Sequence, residues 1–334
     1  MDHQVVDNED RFVYMGGKAP QHVINAIIHE SVKEIDEHAF AIYQGDDDEG
    51  EDGDNHTLRS VVFHAGVETV RTRAFGKCPN LVSLKLPGVR TIEFGAFRVC
   101  SGLTDVEFGD KLDTIQDYAF YCCSSLRGVT IPSATSIGDG TFYQCTSLTD
   151  AVFGEGLESI GSCAFHGCRS LRRIAIPLKD DMFRSDFGYH QRNYHQFDEC
   201  INLSTVDLVG GIHETVASLH LEKWRNEMIE EINLINRVLP YTDEYNKSEE
   251  IVRWIPSVIR KIESFKAAHR ELLKEATTLL ELALWKANVE WIDDKEEEQV
   301  RITRGRAKRA RREKQITSGA SIVIKNVLPF LQLK

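Results

Sequence analysis

Cysteine is the residue type whose spacing in this chain most invites a chemical reading. Cys78, Cys100, Cys123, Cys145, Cys168 and Cys200 each stand three residues after a phenylalanine, and Cys122 and Cys163 complete the set of eight. A zinc site needs two close pairs with two-residue spacing, which neither Cys122-Cys123 nor Cys163 provides. A catalytic thiol needs a partner base and a lowered pKa; cysteines repeated at one core position are expected to be buried and unreactive. Placed in a stack of coils, the six would form an internal ladder with steps of about 4.8 Å. That spacing permits disulfides without requiring them. The reading adopted is a column of small apolar thiols in a reducing compartment.

Three other segments carry titratable clusters. Asp46, Asp47, Asp48, Glu49, Glu51, Asp52 and Asp54 put seven carboxylates in nine residues. Their spacing does not complete an EF-hand loop, so the segment 44–56 reads as a solvated acidic loop. His190 and His195, near Asp186, Asp198 and Cys200, are metal-capable but show no paired-histidine motif; the segment 178–196 reads as a surface insertion, and Phe183, Phe187, Tyr189 and Tyr194 make it a contact patch. Residues 301–314 carry Arg301, Arg304, Arg306, Lys308, Arg309, Arg311, Arg312 and Lys314 against Glu313 alone. That tract is the polar end of a helix, a nuclear import signal or a nucleic-acid contact. It lacks the interleaved aromatic residues that stack on single strands. No phosphate loop, dinucleotide fingerprint, nucleophile elbow or zinc-protease motif occurs. No cofactor, metal site or catalytic residue is assigned, and the chain reads as a non-enzyme.

The elements that position these residues come from a repeat. Phe75, Phe97, Phe120, Phe142 and Phe165 lie 22, 23, 22 and 23 residues apart, with Phe40 before them and Phe197 after. Six residues past each, except Phe40, is a leucine (Leu81, Leu103, Leu126, Leu148, Leu171, Leu203), followed by an alternating run such as Leu84-Lys85-Leu86. Alternation with period two predicts a half-buried strand. Pro87, Gly109, Pro132, Gly154 and Pro177 end these runs in turns. Coils turning through proline are one residue shorter than those turning through Phe-Gly, which confines the 22/23 irregularity to the turn. Five residues before each next phenylalanine is a β-branched residue: Val70, Ile92, Ile115, Ile137 and Ile160. A repeat of this length predicts a solenoid in which every coil buries its apolar face on its neighbours.

The units AFRVCSGLTDVEF, AFYCCSSLRGVTIP and AFHGCRSLRRIAIP resemble the BspA-type leucine-rich repeat across residues 22–209. The resemblance implies a right-handed solenoid of about seven coils of 22–23 residues, with one parallel sheet on the concave side and the AFxxC turns opposite. Ser83, Lys85, Asp105, Glu107, Gly128, Thr130, Asp150, Val152, Arg173, Ala175, Thr205 and Asp207 then point out of the core and line the concave face. This face has no cluster of aromatic anchors.

At 334 residues and 42% hydrophobic, the chain can bury a substantial core, and its net charge of −12 argues against whole-surface nucleic-acid binding. No apolar run reaches the roughly 18 residues of a membrane span. The acidic start, MDHQVVDNEDRFVYMGG, shows no secretory core, and the expectation drawn from it is an intracellular protein, cytoplasmic or nuclear. Residues 1–21 read as a lead-in, 22–211 as the solenoid and 212–334 as a helical region. Within the last, Leu221 to Leu239 form one amphipathic stripe ending at Pro240, and Ser248 is a candidate cap for the next helix. Pro256 should start or kink that helix. Leu272–Trp285 is apolar on several sides and should be buried, and the tail SIVIKNVLPFLQL should dock as a strand or short helix. The helices are read as a cover for the solenoid's last edge, or as a domain of their own. WRNEMIEEINLINRVLP, LLKEATTLLELALWKANVEW and TRGRAKRARREK look like the C-terminal half of an expanded group of diatom repeat proteins, a resemblance that supplies no activity.

These observations predict a protein-interaction scaffold with an unidentified protein partner. The weaker alternatives are a nuclear nucleic-acid-associated factor acting through residues 301–314 and a surface adhesion protein.

Overall fold

A phenylalanine recurring at the same point of every coil stacks on its own copies. The computed structural model, which describes residues 11–42, 55–183, 196–219 and 221–298, places Phe40, Phe75, Phe97, Phe120, Phe142, Phe165 and Phe197 in one column of near-parallel rings with centroids 4.8–5.6 Å apart. Tyr14 extends the column by one rung, 5.1 Å from Phe40. The lead-in is therefore part of the stack.

Among the described residues, fifteen strands run around that column. The longer ones are β1 (Phe12–Tyr14), β2 (Asn25–Ile28), β4 (Ser60–Val62), β6 (Ser83–Leu86), β8 (Asp105–Phe108), β10 (Gly128–Ile131), β12 (Asp150–Phe153), β14 (Arg173–Pro177) and β15 (Thr205–Val209). Between them lie two-residue strands: β3 (Glu34–Ile35), β5 (Thr69–Val70), β7 (Thr91–Ile92), β9 (Thr114–Ile115), β11 (Ser136–Ile137) and β13 (Ser159–Ile160). All pairings are parallel. The longer strands pair as β1-β2-β4, β6-β8 and β10-β12-β14-β15. Single backbone bonds carry the row across the two breaks, from Val82 N to Arg59 O (3.4 Å) and from Arg127 N to Thr104 O (3.1 Å).

The short strands form a second, six-stranded ladder, where the resemblance implied one sheet. Ile35, Val70, Ile92, Ile115, Ile137 and Ile160 point inward from it. Two residues are too few to show alternation, so this ladder left no period in the sequence. It continues one rung further: Ile160 N donates to Met182 O (2.8 Å) and Ile160 bridges to Phe183, whose ring meets Phe197 edge-on. Residues 178–183 thus complete a coil rather than opening an insertion, and the extra residues of the segment 178–196 fall after Phe183.

The AFxxC turn is held by backbone geometry that residue types did not announce. Residues two before the phenylalanine (His38, Arg73, Gly95, Tyr118, Gly140, Cys163) and two after it (Lys77, Val99, Cys122, Gln144, Glu199) have φ between 50° and 59°. Val99 is the costly case, because a β-branched side chain crowds the left-handed region. Val99→Asn is expected to raise stability by about 1 kcal/mol, since asparagine tolerates that conformation; thermal unfolding checks it. Glycine is required at the Phe-Gly turns by close approach instead: a Cβ at Gly154 would lie 1.8 Å from Pro132 O. This contact fixes the alternation of proline and glycine turns that produces the 22/23 spacing.

Helices α1 (Ile212–Ser218), α2 (Glu222–Val238) and α3 (Lys247–Glu298) follow, with a 3₁₀ turn over Leu239–Tyr241. The chain divides into two compact units. The first joins Met1–Ile212 to Glu231–Ile259, and here helical residues occupy polar groups of the last coil. Asn236 Oδ1 accepts from Val206 N (2.7 Å), Lys247 Nζ donates to Ile201 O (2.9 Å) and Leu203 O (2.7 Å), and Ser248 Oγ accepts from Phe197 N (2.9 Å). An uncovered sheet edge would leave such groups as a pairing template. Ser248 is therefore not the helix cap expected: α3 begins at Lys247, and the buried hydroxyl serves the solenoid. Lys247 is 2% exposed, and burial lowers its pKa. Pro256 lies inside α3 and does not start it.

The second unit comprises His213–Glu230 and Arg260–Lys334. Trp224 stacks on Phe265 (5.3 Å), and Lys261 bridges to Glu227 (3.2 Å) while lying over the Phe265 ring. Leu272, Leu279, Leu282, Leu284 and Trp285 are exposed, which corrects the expectation that this stretch is buried. Among the described residues, no helix is long and apolar enough to cross a membrane.

Candidate functional site

The longer strands bury alternate residues, so the rest are presented outward in two parallel rows. Ser83 lies opposite Asp105 and Lys85 opposite Glu107; Gly128 opposes Asp150, Asp150 opposes Arg173, and Arg173 opposes Thr205. Ser83, Lys85, Asp105, Glu107, Thr130 and Arg173 are exposed; Asp150 and Asp207 are half-buried. Cross-rung pairing joins Lys85 Nζ to Glu107 Oε2 (2.7 Å) and Arg173 Nε to Asp207 Oδ2 (2.5 Å). Exposed pairs of this kind contribute little to stability. Their value at a contact face is that each charge can exchange its neighbour for a partner's group. Ala175, expected on the same face, is 1% exposed: its single-carbon side chain sits below longer neighbours, with the Arg173–Asp207 pair crossing diagonally there.

A second surface was not read from the sequence. Along the AFxxC turns, the residues just after the core phenylalanines form an outer column: Arg98 lies over the Tyr121 ring, Tyr121 stacks on Tyr143 (5.0 Å), and Tyr143 stacks on His166 (4.7 Å). Phe94 and Tyr118 meet edge-on beside it (5.6 Å), with Arg73 over Phe94. His166 and Arg169 both reach Glu199, whose carboxyl is held below its ordinary range first by the Arg169 hydrogen bond. The signal existed as one more position repeating at 22–23 residues, masked because it changes identity from arginine to tyrosine to histidine.

The thiol column has no nucleophilic character. All eight cysteines are free, and six are buried. Cys100, Cys123, Cys145, Cys168 and Cys200 each place Sγ 3.1–3.2 Å from the carbonyl oxygen of the phenylalanine one coil back, donating S–H to it; Cys78 does so at 3.8 Å. Burial pushes the Cys123, Cys145, Cys168 and Cys200 thiols well up, and that of Cys163 to about 11. The expected small apolar residue is thus also a donor. Among the described residues, no group of three or more histidine, cysteine or carboxylate side chains could hold a metal ion.

The acidic cluster Asp46–Asp54, the residues Asp186, Phe187, Tyr189, His190, Tyr194 and His195, and the basic tract with Arg304, Arg306, Lys308, Arg309, Arg311, Arg312 and Lys314 lie outside the described residues.

With this geometry in view, the chain's likeness to known proteins can be placed. A family model described as "BspA type Leucine rich repeat region" matches in six copies over residues 68–192 and 135–243, together just over half of the chain. Among solved structures, a leucine-rich-repeat protein of T. pallidum is 22% identical, covering 65% of this chain and 92% of its own, with a TM-score of 0.41. One from Bacteroides ovatus is 20% identical, covering 57% and 60%, with a TM-score of 0.36. A leucine-rich cell surface protein of Faecalibacterium prausnitzii is 20% identical, covering 56% and 60%, with a TM-score of 0.34. The chain therefore spans about three fifths of the last two. No curated protein sequence matches significantly. The match spans the coils that build the two ladders, and the chain belongs to the BspA-type leucine-rich-repeat family.

Proposed function

We propose that this protein is a non-enzymatic, intracellular scaffold that binds a protein partner through the concave strand face. The observation that carries the reading is the exposed, mixed-charge double row from Ser83 to Asp207, held at fixed spacing by the ladders behind it. A rigid surface loses little entropy on association, and charges of both signs at fixed intervals confer specificity more than bulk affinity. The family and fold are typically of interaction or surface proteins rather than enzymes.

The test is capture from nuclease-treated cell extract by the intact chain and by a Lys85→Glu/Arg173→Glu variant. Each substitution sets a carboxylate beside its former counter-ion, Glu107 or Asp207, so the row from Ser83 to Asp207 loses Lys85 and Arg173, its two cations, and becomes wholly acidic while the core is untouched. Partner retention is expected to fall at least about tenfold, with the melting temperature nearly unchanged. Retention of the same proteins by both forms would sink the concave-face reading. Captured nucleic acid, released by salt and indifferent to the variant, would move the function to residues 301–314.

A further inference from the structure

Two arginines from neighbouring coils lie together at the AFxxC turns. Arg73 stands two residues before Phe75 and Arg98 one residue after Phe97, so different repeat positions supply them. Glycine permits the approach. A Cβ on Gly95 would lie 3.2 Å from Arg98 Cδ and 3.5 Å from Arg73 Cγ, and one on Gly76 would lie 3.6 Å from Arg73 Cβ and 3.8 Å from Arg98 Cγ. The two stems therefore run side by side past both glycines. Each guanidinium ends over a ring: Arg73 over Phe94 (5.6 Å) and Arg98 over Tyr121 (5.7 Å). Tyr118 meets both rings edge-on, at 5.6 and 5.8 Å, and is itself exposed.

Charge singles out Arg98. In a chain of net charge −12, its guanidinium makes no hydrogen bond or ion pair among the described residues, and its Nε is buried. The acids of the same turns are engaged with other groups. Glu93 accepts from Thr72 N (3.0 Å) and Thr72 Oγ1 (3.2 Å), Asp117 from Asp139 N (2.8 Å), and Asp139 from Ser162 N (2.7 Å). Burial raises the pKa values of Tyr118, Tyr121 and Cys122, and Arg98 opposes the rise in all three. Its positive charge thus acts across the whole patch.

A half-buried guanidinium without a counter-ion suits an anion, and two guanidiniums together suit the three acceptor oxygens of a phosphate monoester. The rings beside the pair favour a phosphate carried on an aromatic group, whose own ring can pack on Tyr118. Nucleic acid fits less well. Two arginines hold one phosphate, and the neighbouring carboxylates of Glu93, Asp117 and Asp139 repel a polyanion.

We infer that Arg73 and Arg98 clamp the phosphate of a phosphotyrosine side chain on a partner protein, with Tyr118 against its ring. The site is separate from the concave face and does not depend on that reading.

Phenyl phosphate is the probe, titrated into the intact chain and followed by phosphorus NMR, with inorganic phosphate, phosphoserine and a single-stranded oligonucleotide for comparison. It should bind at least about tenfold more tightly than inorganic phosphate or phosphoserine, through the ring contact. Arg98→Lys and Arg73→Lys should each weaken it at least about tenfold although the charge is kept, because an ammonium cannot reproduce the planar fork. Tyr118→Ala should remove the preference over inorganic phosphate and leave phosphate binding intact; it reads the site even if an arginine variant melts early. Lys85→Glu/Arg173→Glu should bind the probe as the parent does, so this inference and the concave-face reading fail separately. Equal binding by the parent and well-folded arginine variants overturns the clamp. Equal affinity for phenyl and inorganic phosphate overturns the tyrosine assignment, and tighter binding of the oligonucleotide transfers the site to nucleic acid.

Discussion

Taken upward from pH 8 with its thiols kept reduced, the solenoid is expected to lose stability steeply once the pH passes 9. Cys123, Cys145, Cys168 and Cys200 are buried beside backbone carbonyls, and burial raises their pKa values from a reference of 9.0. In the unfolded chain these thiols lose their protons near pH 9, while in the fold they keep them. The unfolded state then binds fewer protons, so the free energy of unfolding falls as pH rises. Each such thiol contributes about 1.4 kcal/mol per pH unit above its unfolded pKa, and four together give roughly 5 kcal/mol per unit. Cys163 acts in the same sense between pH 9 and about 11. Lys247 opposes them: its folded pKa is lowered, so its contribution improves as pH rises toward its reference of 10.5. One lysine does not offset four thiols. Urea unfolding at pH 7, 8, 9 and 10 would show the trend. Cys145→Ala should lower stability at pH 7 yet remove about a quarter of the alkaline slope. Stability independent of pH up to 10 would contradict the buried-donor column.

Phe120→Ala is expected to be the most damaging single truncation. Its ring is fully buried, stacks on Phe97 (5.3 Å) and Phe142 (5.6 Å), and meets Phe108 edge-on (5.9 Å). Removing a buried phenylalanine costs about 3–5 kcal/mol through lost transfer energy and the cavity left behind, and each aromatic pair adds about 0.5–1.5 kcal/mol. The position in the stack sharpens the outcome. Coils contact chiefly their neighbours, so a gap at the middle weakens the coupling between the two halves. Denaturant unfolding should shift to a lower midpoint and become broader, with the coils on either side of Phe120 melting separately. Phe120→Leu, which keeps most of the volume, should cost less than half as much. An unchanged transition in Phe120→Ala would show that the ring column does not couple the coils.

What the sequence determined about this protein is whatever repeats. Phenylalanine, cysteine and leucine at constant offsets imply columns of like side chains, because in a stack each core position meets its own copy one coil away. Period-two runs such as Leu84-Lys85-Leu86 likewise imply strands, and with them an outward row containing Lys85, Glu107 and Arg173. The tertiary structure alone decided the contacts between unlike positions. Two-residue strands leave no period, yet they build a six-stranded ladder. Left-handed turns fall on valine, tyrosine and arginine as readily as on glycine, because the coil-to-coil bonds of Phe97 N and Val99 N to Ala119 O and Tyr121 O hold the backbone there. Ser248 read as a helix cap because capping is local, but its hydroxyl bonds Phe197, fifty-one residues away. The Arg98–Tyr121–Tyr143–His166 column was hidden for a related reason. Stacking conserves ring and guanidinium planes rather than residue identity, and only the coordinates show those planes aligned.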